Sequence, residues 1–123
     1  MAKIRIAWRS GEVIADLKDT PTVKKLVAAL PCKASASTWG DEVYFSLPVK
    51  AQLEPGAQQV VDPGSVCFWV EGSALALPFG PTPISKGNEC RLASKCNLLG
   101  NIVGDPMQLK SVRDGDEIRV EVV

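Results

Sequence analysis

Apolar and polar residues alternate at the start of the chain in the pattern of a β-hairpin. Every second residue is apolar from Ile4 to Trp8, and the same spacing returns from Val13 to Leu17. Successive side chains of a strand point to opposite faces, so each run places its apolar residues on one face. The intervening Arg9-Ser10-Gly11-Glu12 supplies turn-forming residues, and we predict two antiparallel strands joined there.

The pattern changes to a helical one after residue 19. Asp19-Thr20-Pro21 offers a capping oxygen followed by a proline, which predicts the start of a helix. Pro31 ends it, because the residue before a proline avoids helical dihedral angles. We expect this helix to lay one apolar stripe over an open end or flank of a sheet. The stripe consists of residues three or four positions apart, namely Val23, Leu26, Val27 and Leu30.

Short apolar runs separated by glycine and proline turns fill most of the remaining chain. Residues 34–38 and 42–47 flank Trp39-Gly40-Asp41, which predicts a second hairpin. An irregular loop is expected at 80–83, and one or two helical turns at 106–112, with Met107 and Val112 facing inward. Further strands are predicted at 59–61, 65–69, 73–77, 95–102 and 118–122.

Taken together, these elements predict a mainly β domain that spans residues 1–123. Closing a sheet into a barrel removes its exposed edges, and a series of about eight short strands favours that solution. We therefore predict a closed antiparallel eight-stranded β-barrel with one main helix and a short second helix.

The balance of charge excludes some classes of partner. Fourteen basic residues offset fourteen acidic ones, so no positive field exists to attract a nucleic acid or an anionic membrane. No apolar stretch reaches the length of a signal peptide or of a bilayer span. We expect a cytoplasmic protein that binds neither nucleic acid nor membrane.

The four cysteines are expected to be reduced thiols. Two disulfides are the alternative, but a chain with a sufficient apolar core and no secretion signal does not need them. Zinc sites use closely spaced cysteine pairs and histidines, and this chain contains no histidine. We predict no metal and no cofactor. The cysteines are Cys32, Cys67, Cys90 and Cys96.

Several segments resemble those of cyclophilins. Residues 98–103 with 109–112, and residues 72–77 with Gly80-Pro81, are similar to two cyclophilin stretches. Thr38–Ser46 and Phe79–Pro83 are similar to motifs of a small prokaryotic family of cyclophilin-like proteins of unassigned function. The resemblance implies an eight-stranded barrel closed by helices, in agreement with the strand pattern.

The resemblance also implies where isomerase chemistry would lie. Proline isomerisation faces a barrier of about 18–20 kcal/mol, which cyclophilins lower with an arginine and a histidine. With Gly100 aligned to the glycine of the corresponding strand, the histidine position falls at Cys96, whose thiol is a weak donor. No arginine lies between Trp39 and Phe45, where the catalytic one is expected, so Arg91 is the remaining candidate.

The candidate ligand-binding residues are mostly aromatic. Any one of them is either core or part of a shallow apolar groove, and Trp39 and Phe79 are expected to be partly exposed because they adjoin turn glycines. Glu42, Tyr44 and Ser46 share a strand face, which either presents an acid and two hydroxyls or is merely solvated. The candidates are Trp39, Tyr44, Phe45, Ser46, Phe79, Thr82, Arg91 and Cys96.

Three functional hypotheses follow. The first is a module that binds a peptide or small molecule in an aromatic-lined groove, without the usual isomerase residues. The second is a peptidyl-prolyl isomerase with an atypical site that uses Arg91. The third is an unrelated enzyme on the same scaffold. The site proposed in the first would be wrong if the Thr38–Ser46 hairpin and the Phe79–Pro83 loop lay at opposite ends of the barrel.

Overall fold

The computed structural model describes residues 2–123 as a single antiparallel sheet with two helical segments. The α-helix, α1, spans Pro21–Ala29, and a 3-10 helix spans Pro106–Ser111. The ten strands are β1 (Ala2–Trp8), β2 (Gly11–Leu17), β3 (Cys32–Ser35), β4 (Ser37–Thr38), β5 (Glu42–Ser46), β6 (Gln58–Val61), β7 (Ser65–Trp69), β8 (Ala74–Pro78), β9 (Cys90–Val103) and β10 (Glu117–Val122).

The order of the strands brings the two ends of the sheet together. It runs β3-β10-β1-β2-β9-β7-β8-β5-β4, and β6 pairs with β9. The end strands β3 and β4 are separated in the chain by Ala36 alone, so the sheet is rolled into a nearly closed barrel. The mainly β barrel predicted from the sequence is therefore confirmed.

The strand count is ten rather than about eight. The predicted strand 34–38 is two strands because Ala36 leaves the ladder: its amide donates to the Asp116 carbonyl oxygen at 2.9 Å, and its carbonyl accepts from the Gly115 amide at 2.8 Å. The predicted strand 95–102 begins earlier, at Cys90, because its first part pairs with β6.

Two apolar clusters lie on opposite faces of the strands. The larger fills the barrel and takes alternate residues of several strands, such as Ile4 and Ile6 of β1 and Val43 and Phe45 of β5. The second lies on the outer face of β7, β8 and β9, where β6 and the first half of β9 cover it. It contains Val61, Cys67, Ala76, Cys90, Leu92 and Cys96.

Helix α1 starts and ends where the sequence predicts. The Thr20 hydroxyl accepts a hydrogen bond from the Val23 amide at 3.1 Å, and Pro21 occupies the first helical position. The helix ends at Ala29, two residues before Pro31. Val23 and Leu26 are buried against the barrel core. Neither helix among residues 2–123 has the length and apolarity needed to cross a bilayer.

The 3-10 helix is present, but one of its two predicted inward residues is not buried. Met107 is 46% exposed, whereas Leu109 and Val112 are 1% and 5% exposed. A 3-10 helix has three residues per turn, so residues three apart share a face and Met107 lies off the line that joins Leu109 and Val112. The prediction that Met107 faces inward is wrong.

Candidate functional site

A pocket of about 140 Å³ opens on the outer face of the barrel. Strands β5, β7 and β8 provide its floor and one wall, and the first half of β9 provides the opposite wall. Six of its lining residues carry apolar or aromatic side chains, and the other two carry a carboxyl and a thiol. The lining residues are Trp39, Glu42, Tyr44, Trp69, Ala76, Leu92, Ala93 and Cys96.

The floor of the pocket follows from the register of three strands. Tyr44 of β5 lies opposite Ala76 of β8, which lies opposite Cys67 of β7. Residues directly opposite each other in adjacent strands point to the same face. Ala76 has the smallest side chain of the row, so a depression forms between its neighbours.

Trp69 is held in place at the wall. Its indole N–H donates to the Ser94 hydroxyl at 3.0 Å, which ties β7 to β9. A Cβ at Gly72 would overlap the six-membered part of the Trp69 ring, so only glycine leaves room for the ring in this position. These two contacts fix the edge of the pocket that Trp69 forms.

Trp39 is positioned by the tight turn that follows it. The Trp39 amide donates to the Glu42 carbonyl oxygen at 2.9 Å. Gly40 has a φ of +58° and packs against Pro83, so a side chain at this position would meet both strain and a clash. The turn therefore sets Trp39 at the mouth, where it is half-buried.

Glu42 is a buried acid without a partner. The residue is 6% exposed, and its Oε1 atom has no hydrogen-bond partner among residues 2–123. Burial raises the pKa of the Glu42 carboxyl from 4.5 to about 7. Buried polar groups are almost always hydrogen-bonded, so an unpartnered carboxyl that lines a pocket is chemically the most distinctive feature of the site.

The thiols near Glu42 are neutral. Burial, and then the charges of Glu42 and Glu71, raise the pKa of Cys96 to about 12. Burial is also the main cause that raises the pKa values of Cys67 and Cys90. Thiolates rather than thiols act as nucleophiles and metal ligands, so at neutral pH the three thiols are unreactive, and Cys96 contributes to the pocket lining only as a neutral side chain. Within the described chain no cluster of acidic, cysteine or histidine residues is arranged to hold a metal ion.

Three of the predicted binding residues line the pocket, and two others are core residues. Trp39, Tyr44 and Cys96 lie around it. Phe45 is 1% exposed and points into the barrel, because it alternates with Tyr44 along β5. Phe79 is 6% exposed and also belongs to the core, contrary to the partial exposure expected from its neighbouring glycine.

The other three predicted residues are engaged elsewhere. The exposed Ser46 hydroxyl donates to the Gly72 carbonyl oxygen at 3.1 Å. The buried Thr82 hydroxyl donates to the Arg91 carbonyl oxygen. The Arg91 guanidinium pairs with the Glu89 carboxylate at 2.9 Å. None of them lines the pocket.

The hairpin and the loop that were expected to form the site are neighbours, but only the hairpin reaches the pocket. The Asp41 amide donates to the Pro81 carbonyl oxygen at 2.9 Å, and the Phe79 amide donates to the Asp41 carbonyl oxygen at 2.8 Å. The Phe79–Pro83 loop therefore supports the turn that carries Trp39, and contributes no side chain to the pocket lining.

Five of the lining residues are not among the ligand-binding candidates taken from the sequence, although Glu42 was noted there as the acid on one face of its strand. A signal for two of them, Trp69 and Ala76, exists in the unbroken apolar runs 66–70 and 74–78. A strand that is covered on one face only is expected to alternate apolar with polar residues. Such runs indicate a second covered face, on which an isolated acid is conspicuous. The missed residues are Glu42, Trp69, Ala76, Leu92 and Ala93.

Comparison with known proteins identifies related folds. The family model described as cyclophilin-like matches residues 2–121. The solution structure of the hypothetical protein AF2241 from Archaeoglobus fulgidus is similar, with a TM-score of 0.86 and 38% sequence identity over 99% of this chain and 95% of that chain. Among proteins with curated descriptions, none matches the chain.

Proposed function

The chain belongs to the cyclophilin-like family, and we propose that it is a binding module whose outer pocket takes one small, mostly apolar group. The observation that carries this proposal is the pocket lined by Trp39, Tyr44, Trp69 and four further side chains around the single carboxyl of Glu42. Pockets of this composition, with apolar walls and few polar groups, are typical of small-molecule sites.

The size of the pocket limits the occupant. Its volume is about 140 Å³, and an apolar protein cavity of about 150 Å³ accommodates a molecule of the size of benzene. One ring or one branched alkyl group therefore fits, whereas an extended peptide backbone does not. A peptide would have to present a single side chain, so we favour a small molecule as the ligand.

The residues that face the pocket do not favour proline isomerisation. The Arg91 guanidinium is paired with Glu89 and lies outside the lining. The Cys96 thiol donates weakly to the Ser94 carbonyl oxygen at 3.5 Å, and its pKa of about 12 keeps it neutral. Among residues 2–123 no guanidinium lines the pocket, and the Cys96 thiol in the expected histidine position carries no charge.

Nuclear magnetic resonance tests the proposal without modifying the protein. The chain has three tryptophans, of which Trp39 and Trp69 line the pocket. Trp8 lies outside the pocket, and its indole N–H donates a hydrogen bond to the Ser111 hydroxyl. We expect benzyl alcohol and 3,3-dimethylbutan-1-ol to shift the indole N–H signals of Trp39 and Trp69 in a saturable manner, and to leave that of Trp8 unchanged.

The matched variant is Ala76→Leu, which fills the floor of the pocket. We expect this variant to remain folded, as judged by the dispersion of its amide signals, and to lose the saturable shifts. Shifts that persist in Ala76→Leu, or that include Trp8 equally, would contradict binding at this site.

A further inference from the structure

We propose that the pocket recognises a small organic cation, an alkylated ammonium group that pairs with Glu42 and is surrounded by Trp39, Tyr44 and Trp69. The inference rests on the proposed binding function and specifies the chemical class of the ligand. The charge of the lining, its aromatic side chains and its scarcity of hydrogen-bond acceptors all favour such a group.

The Glu42 carboxylate carries a negative charge that no ion pair of the described chain compensates. None of the ion pairs among residues 2–123 involves this carboxylate. The titratable groups that interact with it from neighbouring strands are the thiols of Cys67 on β7 and of Cys90 and Cys96 on β9. All three are neutral, and Arg91, which follows Cys90 in the chain, is paired with Glu89. No cation of residues 2–123 therefore compensates the Glu42 carboxylate, and a cationic ligand would supply the missing positive charge.

Three aromatic side chains surround the same pocket as the Glu42 carboxyl. A cation close to an aromatic ring is attracted by the ring quadrupole, most strongly by tryptophan, and removal from water strengthens the attraction. Two indoles and one phenol line the pocket together with the carboxyl. An anion would be repelled by Glu42, and a ligand without any donor or charge would leave the Glu42 Oε1 atom unpartnered.

The small number of hydrogen-bond acceptors in the lining favours an alkylated ammonium group over a primary one. A primary ammonium has three N–H donors, but among the lining side chains only Glu42 and Tyr44 carry oxygen atoms. Replacing N–H groups by methyl groups removes donors that would find no acceptor. The methyl groups then pack against the rings and against Leu92 and Ala76.

The test compares two compounds of the same shape that differ in charge. Choline carries a trimethylammonium group, and 3,3-dimethylbutan-1-ol has a carbon atom in place of the charged nitrogen. At pH 8 we expect choline to shift the Trp39 and Trp69 indole signals with at least tenfold higher affinity than the alcohol. We expect Glu42→Gln to weaken choline binding at least tenfold and to change the affinity of the alcohol less than twofold.

The outcomes separate this inference from the proposed function. Equal affinities for the two compounds would overturn cation recognition and leave the small-molecule pocket standing. Binding of neither compound to the folded protein would overturn both. Glu117→Gln is the control, because Glu117 lies on β10, is exposed and pairs with Arg119. It should bind choline as the parent protein does.

A second readout is the dependence of choline binding on pH. Choline keeps its charge at every pH, and the three thiols stay protonated from pH 5 to pH 8, so only Glu42 changes its charge inside the pocket. Binding should weaken as pH falls below about 7, approaching tenfold per pH unit well below that value. It should not vary with pH in Glu42→Gln. Equal affinity of the parent protein at pH 5.5 and pH 8 would overturn the inference.

Discussion

At the scale of single residues, the Glu42 carboxyl links stability to pH. Its pKa in the folded protein, about 7, lies above its ordinary value of 4.5 because the group is buried. Between these two values the folded protein retains a proton that the unfolded chain has released. The free energy of unfolding therefore falls as pH rises from 4.5 to 7, by about 3 kcal/mol at most.

Glu42→Gln should remove this dependence on pH. We expect the variant to be more stable than the parent protein by about 1–3 kcal/mol at pH 8, where the parent must bury a carboxylate. At pH 4 the two proteins should differ little, because the parent carboxyl is then neutral in both states. Chemical denaturation at the two pH values measures the difference.

The exposed Glu117 again supplies the control for this experiment. Glu117→Gln removes a carboxylate that is already solvated, so its effect on unfolding should stay within about 0.5 kcal/mol at both pH values. A Glu42→Gln variant that is less stable than the parent at pH 8 would show that the carboxylate has a stabilising partner in solution.

The residue scale also shows which part of the site the sequence predicts. Trp39, Tyr44 and Cys96 line the pocket. A turn glycine pointed to Trp39, a motif pointed to Tyr44, and the alignment of Gly100 pointed to Cys96. Phe45 does not, since strand alternation turns it inward beside Tyr44. An aromatic residue pattern alone does not state which face of a strand is the interior when both faces are covered.

At the scale of elements, Asn97 joins three segments that are distant in the chain. Its side-chain amide donates to the Thr22 hydroxyl at 3.0 Å and to the Gln52 carbonyl oxygen at 2.9 Å, and its oxygen accepts from the Glu54 amide at 2.7 Å. The residue is fully buried. Helix α1 and the segment before β6 are thereby attached to β9 at its midpoint.

Asn97→Ala should therefore lower the free energy of unfolding by about 2–4 kcal/mol. The substitution leaves the Glu54 amide and the Gln52 carbonyl oxygen without their partner, and orphaned buried groups account for most of the loss. Urea denaturation measures the change. Asn101→Ala, on the same strand at an exposed position, should change the stability by less than about 0.5 kcal/mol, and equal losses in the two variants would contradict this role.

The elements were easier to predict than their contacts. Thr20, Pro21 and Pro31 define helix α1 through local chemistry, so both ends are readable from neighbouring residues. The break at Ala36 is not, because it depends on hydrogen bonds to residues 115 and 116, which approach only in the folded barrel. Long-range pairing leaves little trace in local composition.

At the scale of the whole molecule, the cyclophilin-like fold carries a pocket that Arg91 does not line. We expect no acceleration of cis-trans isomerisation of a proline tetrapeptide in a protease-coupled assay, because Arg91 is paired with Glu89 outside the pocket. Arg91→Ala should give the same rate as the parent protein. A parent rate above the uncatalysed one that Arg91→Ala abolishes would contradict this expectation.

The fold was predictable from periodicity because many strands of the barrel show the same alternation of inward-facing apolar residues with outward-facing ones. The position of the pocket was not, because it depends on β6 and the first half of β9 folding over the outer face of β7 and β8. This arrangement brings Glu42 into the same pocket as Leu92 and Cys96, which lie far from it in the chain. The residues around Glu42 give no indication that the first half of β9 will lie next to it.

The alternation of β5 has a consequence for how this protein can diversify. The side chains of Val43 and Phe45 must fit the interior of the barrel. Those of Glu42 and Tyr44 must fit the ligand in the pocket. Selection for a new ligand can therefore act on one set of side chains without disturbing the other. Relatives with the same interior are free to differ in specificity, and a designer can exchange pocket residues while leaving the barrel interior unchanged.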